Sequence, residues 1–240
     1  MCHILLWDLW YSDAKKEIRH IFFEEKELKD FLLGVKLRYF DEIKQYIFNN
    51  GETNKGILLN SKLKSLEEQE SKELKFALHV PYENEKNGFA FHIILLANGS
   101  FQFLWLHGEK SGCFDEYNYL RGKLDEENLS NLQLAFNVLS YINTYPDCVR
   151  KGVPSRFSDA EIKEGYVLEI SDTILNNKSL LKTGERKISA HPRSAYFKVL
   201  KSDFYKPENR GKMILVRETF INGKAETLLT ADNLSKFKKM

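Results

Sequence analysis

The sequence predicts an α+β protein: N-terminal helices packed on a mixed or antiparallel sheet, a long helix, and a basic C-terminal β-module. Three observations carry that expectation. Apolar residues recur at three- and four-residue spacing between Ile18 and Ile47 and again between Leu129 and Ile142, the period of a helix with one buried face. Between them lie apolar, aromatic-rich runs around Asn98-Gly99, the pattern of strands joined by a hairpin turn. Last, charge is unevenly distributed. Residues 186–240 hold 13 Lys and Arg against 5 Asp and Glu, a net of +8, while the whole chain is +2, leaving −6 for the first 185 residues. An acidic body, residues 1–175, and a basic module, residues 176–240, are the domains this suggests.

Element by element, Ser12 is the expected N-cap of the first helix. Ile18, Ile21, Phe22, then Leu28, Phe31, Leu32, Val35, then Phe40, Ile43 and Ile47 form one bent helix or two consecutive ones, stopped by Asn49-Asn50-Gly51. The mixed-charge run Lys62–Lys75 reads as a solvated helix or linker. Strands are expected over Leu74–Tyr82, Phe89–Ala97 and Phe101–His107, the last two joined by a type I′ turn. Phe101, Phe103 and Trp105 share one face, and Phe91, Ile93 and Leu95 share another. Glu126–Tyr145 reads as a helix with Leu129, Leu132, Phe136, Leu139 and Ile142 as its buried stripe, ended by Pro146. A loop follows over 147–158, then a short strand near Tyr166–Ile170 and a polar linker over 176–186. Two further strands fall near Ala195–Lys201 and Met213–Phe220, with a turn at Asn222-Gly223.

Composition excludes several classes. Hydrophobic residues make up 42% and charged residues 29% of the 240, an ordinary globular balance. Cys2, Cys113 and Cys148 are odd in number and unpaired in spacing, which fits a reducing cytoplasm. The apolar start, Met1–Tyr11, contains Asp8 and lacks a basic n-region, so it reads as core rather than a signal peptide. No apolar run approaches the roughly 20 residues of a spanning helix; no membrane role is expected.

Candidate chemistry is sparse. No Walker A loop, dinucleotide fingerprint, Gly-x-Ser-x-Gly or Cys-x-x-Cys is present, and no histidines pair at i+3 or i+4. No metal and no cofactor are implied. His79, His92 and His107 are on expected strands, either meeting across them or unrelated, and Cys113 reads as structural. The basic module is richer. His191, Arg193 and Tyr196 are the residue types a metal-independent ribonuclease needs for acid–base work and phosphate charge. Arg193, Lys198, Arg210, Lys212 and Arg217 could instead hold RNA or another phosphate without cutting it, or form a solvated structural hairpin. On a strand, Tyr196 and Lys198 point one way, and Phe197 and Val199 the other. Asp147, Lys151, Gly152 and Pro154 form either a rigid partner-binding loop or plain helix termination.

Two segments together resemble a type V-A anti-CRISPR family that suppresses production of its effector nuclease. Pro146-Asp147, three residues and Lys151-Gly152-Val153-Pro154 resemble its Pro-Asp-x-x-x-Lys-Gly-Leu-Pro segment. His191-Pro192-Arg193-Ser194-Ala195-Tyr196-Phe197 and Phe220-Ile221-Asn222 resemble its His-x-Arg-Arg-x-His-Trp stretch and its ending, with Ser194 and Tyr196 where the family has Arg and His. The similarity lies mainly in residues 130–225. It implies a phage- or plasmid-borne counter-defence protein in a bacterial cytoplasm. Such a protein binds a target protein or nascent peptide and lowers its expression through translation or mRNA, with RNA or the ribosome as a further partner. The departures at Ser194 and Tyr196 weigh against cleavage.

Overall fold

The computed structural model describes residues 18–50, 72–80, 88–96, 98–157, 162, 164–176 and 191–221. The predicted cap at Ser12, the run 62–71, the linker 177–186 and the turn at Asn222-Gly223 lie outside them. The architecture is α+β. The strands β1 (Arg19–Phe23), β2 (Lys72–His79), β3 (Phe89–Leu95), β4 (Phe101–His107), β5 (Lys110–Asp115), β6 (Val149–Lys151) and β7 (Tyr166–Leu168) form one mixed sheet. Its order is β5-β4-β3-β2-β1-β7-β6. β1 runs parallel to both β2 and β7, and the other pairs are antiparallel.

β1 corrects the expected first helix. Ile21 and Phe23 enter the main core, while Phe22, one residue between them, enters a second cluster with Phe157 and Val167. A strand buried on both faces shows no alternation, so its apolar run mimics the start of a helical stripe. The helical period holds further on: α1 (Lys26–Gly34) and α2 (Phe40–Asn50) are two consecutive helices. Residues 72 and 73, expected only in a charged helix or linker, belong to β2, which starts two residues before the expected strand at Leu74; Lys72 pairs with Leu95. The Asn98-Gly99 turn is not type I′. Among its described residues only Gly99 has a left-handed φ, of 80°. Leu96 N–H donates to Ser100 O at 2.8 Å, and the Asn98 side chain accepts from Ser100 N–H at 2.9 Å. That closes a three-residue turn with glycine at its left-handed position.

One sheet face is aromatic. Phe76, Phe91, Phe101, Phe103 and Trp105 are all buried there, beneath α2 and the long helix α4 (Glu126–Thr144), which follows the short α3 (Glu116–Leu120). Phe40 of α2 joins the two layers, 5.2 Å from the Phe101 ring and 4.8 Å from Phe136. Asp125 caps α4 by accepting from Asn128 N–H at 2.7 Å. α4 is buried nearly all round from Asn131 to Asn143. Leu129, expected in its stripe, is exposed, because the first turn projects beyond the core. Tyr141 ties the far end down: its hydroxyl donates to Glu169 O and accepts from Ser171 N–H.

The region after Pro146 is more ordered than the expected loop. It holds 3-10 turns at Pro146–Cys148 and Ser155–Phe157, with β6 between them as an edge strand. After α5 (Asp172–Asn176), β8 (His191–Arg193) pairs with β11 (Thr219–Ile221), and β9 (Tyr196–Val199) pairs with β10 (Met213–Val216), all antiparallel. Phe197, Val199 and Met213 lie in the same apolar cluster as α4 and the sheet.

Candidate nucleic-acid interface

The site begins where α1 ends. The last carbonyls of a helix have no partner within it. Here α4 supplies them: Asn137 Nδ2 donates to Leu32 O and Val35 O, both at 2.7 Å, and Gln133 Nε2 donates to Leu33 O at 2.7 Å and to Val35 O. Fixing Val35 fixes Lys36, whose N–H donates to Ala195 O at 2.9 Å and forms a parallel bridge to Tyr196. The chain then turns sharply. Arg38 N–H donates to Lys36 O at 2.8 Å, and Tyr39 is held at φ 61°. A bulky residue in the left-handed region is a strained exception, often found at working surfaces.

That turn stands against β9. Tyr196 is 5% exposed. The Arg38 guanidinium lies 4.8 Å from its ring centre and that of Arg193 lies 5.2 Å from it. Tyr39 packs edge-on at 5.9 Å and carries Arg38 over its own ring at 5.0 Å. Lys198 Nζ donates to the Tyr205 hydroxyl at 3.0 Å, and this bond raises the ammonium pKa above its usual value. Tyr39 and Phe204 keep rings in solvent, the latter 92% exposed. The patch is not purely basic: Glu42 lies 3.8 Å from Lys201.

The predicted residues are distributed as follows. Arg193 and Lys198 are in the patch. Tyr196 forms its buried floor. His191 sits on β8 opposite Ile221. Arg210 braces the β9–β10 connection, bonding to the carbonyls of Tyr205 and Asp203 and pairing with the Asp203 carboxylate at 3.0 Å. Lys212 Nζ donates to Asn209 Oδ1 at 3.2 Å. Arg217 donates to Thr173 O in the first turn of α5. Asp147, Lys151, Gly152 and Pro154 lie on and around β6, the edge of the main sheet, and Gly152 N–H donates to Gly165 O at 2.8 Å. Neighbouring Arg150 pairs with Glu169 and Glu24.

The three strand histidines each have separate company. His79 stacks on Phe22 at 4.7 Å and shares a 2.9 Å hydrogen bond with His20; His107 stacks on Phe89 at 4.0 Å; His92 pairs with Leu104 and Lys75 in the sheet. No group of three or more metal-ligating side chains occurs among the described residues. Burial, then Asp115, raises the Cys113 thiol pKa, which works against a nucleophilic thiolate.

Sequence reasoning missed Arg38, Tyr39 and the His20–His79 pair. The run Lys36-Leu37-Arg38-Tyr39 carried the signal for the first two: basic and aromatic residues interleaved at a helix boundary.

The fold and patch thus define an α+β protein with a basic–aromatic surface formed by two distant segments. No family model, curated protein or solved structure matches the chain. No described helix is long and apolar enough to cross a membrane.

Proposed function

We infer that this is an anti-CRISPR-like counter-defence protein of phage or plasmid origin, one that lowers the expression of a partner protein by engaging RNA. The single observation carrying the RNA part is the stack of Arg38, Tyr196 and Arg193 with Tyr39 at its rim. It offers phosphate-directed cations and an exposed ring in one surface, the two components of sequence-tolerant single-strand binding. The segment Asp147–Pro154 is the surface for the partner protein or nascent peptide in this reading. Tyr196 is enclosed by cations as a floor, which suits holding a strand better than cutting one.

The test is anisotropy of a labelled single-stranded RNA at several salt concentrations, in EDTA. Affinity falls linearly on a log–log salt plot. Arg38→Glu weakens binding at least about tenfold, while Lys110→Glu, on β5 at the opposite sheet edge from β6, leaves it unchanged. Salt-independent binding, or an Arg38→Glu protein that binds normally, overturns the RNA assignment. Discrete cleavage of the RNA that disappears in His191→Ala replaces it with a ribonuclease.

A further inference from the structure

A cleft of about 580 Å³ opens beside the patch. Its apolar walls include Phe31 of α1 and Leu215 of β10, and its polar lining includes Asp30, Ser194, Arg217 and Glu218. Both of its sides continue directly into the patch. The end of α1 leads through Lys36 to Arg38 and Tyr39, and Ser194 stands between Arg193 and the Ala195–Tyr196 segment that receives Lys36. A strand held on the stacked arginines therefore has the cleft within reach of its next base.

The volume lies in the range of small-ligand sites, and the composition, apolar walls with a few polar groups, is theirs too. Phe31 offers a ring for stacking. Asp30 and Glu218 are exposed carboxylates, which only accept hydrogen bonds when ionised. Single-stranded RNA is read by contacts to the Watson–Crick edges of unstacked bases. Guanine alone presents two neighbouring N–H donors there, N1 and N2, that a single carboxylate takes together. Uracil presents one donor between two acceptors. Cytosine and adenine place a ring acceptor beside their amine, which faces a carboxylate unfavourably. Arg217 supplies a positive charge in the same lining, suited to the phosphate attached to such a base.

We propose that this cleft is a guanine-selective base pocket, making the RNA surface preferential for strands that present an unpaired guanosine beside the Arg38–Tyr196–Arg193 stack. The proposal rests on the RNA-binding reading, and the experiment separates the two. Labelled (U)8 is compared with the same octamer carrying one central guanosine, inosine, adenosine or cytidine, on the full chain. The wild type binds the guanosine octamer about tenfold tighter than (U)8. Inosine, which lacks the 2-amino donor, loses most of that advantage, and adenosine and cytidine gain none. Asp30→Asn and Glu218→Gln, both at exposed positions, preserve (U)8 binding; at least one of them abolishes the guanosine preference. Equal affinity for all five strands, with salt-dependent (U)8 binding intact, overturns the pocket and leaves the RNA surface standing. A preference retained in both variants also overturns the carboxylate assignment. Binding of no strand overturns both readings.

Discussion

Two places in this molecule set nitrogen-bearing side chains against aromatic rings, and only one of them carries charge near neutral pH. On the second face of the sheet, His20 and His79 meet at 2.9 Å, with His79 against Phe22 and Phe157. Burial pushes their pKa values down to about 4 and about 3, the neighbouring His20 adding to the fall at His79. Around Tyr196, two guanidiniums take comparable positions over a ring and keep their charge, because Arg38 is exposed and arginine has no accessible neutral form. The same contact builds a dry structural joint where the base can shed its proton, and a charged surface where it cannot.

Acid tests this contrast most severely. In the unfolded chain both histidines bind protons near pH 6.5, but in the fold they resist until about pH 4 and about 3. Between those values the unfolded state holds more protons, so stability is full above pH 7 and falls as pH drops below about 6.5. At about 1.4 kcal/mol per unit of depression, each histidine accounts for a loss on the order of 3 kcal/mol by pH 4, and the pair for about 6 kcal/mol. Urea midpoints from pH 7.5 to 4 read this directly, and His79→Phe flattens the curve. An unchanged slope in that variant breaks the contrast.

The next effect is at the support of the charged surface. Asn137→Leu removes the side-chain donor to Leu32 O and one of the two donors to Val35 O, and costs about 1–3 kcal/mol in chemical denaturation. Because Val35 anchors the Lys36–Tyr39 turn, the variant also binds RNA more weakly. A destabilised protein with intact binding shows that the turn holds its own shape.

The smallest shift is expected from Tyr39→Gly. Relief of the left-handed backbone, roughly 1 kcal/mol, offsets loss of the Tyr39–Tyr196 ring contact, about 0.5–1.5 kcal/mol. Tm therefore moves little while RNA affinity falls several-fold. A large drop in Tm assigns Tyr39 to the core instead of the surface.

Much of the fold was legible in the sequence where one face of an element is buried. The β3–β4 hairpin, α1, α2 and the extent of α4 all show a clear period. β1 was not legible, because Ile21, Phe22 and Phe23 are buried on both sides and leave no alternation to read. The local turn geometry at Asn98-Gly99 was misread because the Asn98 side chain is occupied with Ser100. For the candidate site, local composition pointed to Arg193, Tyr196 and Lys198, but Arg38 and Tyr39 come from more than 150 positions earlier in the chain. The bridge from Lys36 to Tyr196 and the ring contacts around Tyr196 unite them, and nothing in a linear pattern encodes such a bridge.

The position of β1 has a consequence in time. As the middle strand between β2 and β7, it has partners at Phe76 and at Tyr166, so one of its edges stays open until most of the chain has left the ribosome. Pairings this distant in sequence are slow to close. A strand whose apolar run Ile21–Phe23 waits for its neighbours invites improper pairing in the interval. Arrival of β7 closes that open edge, and Phe197, Val199 and Met213 then complete the core that β1 faces.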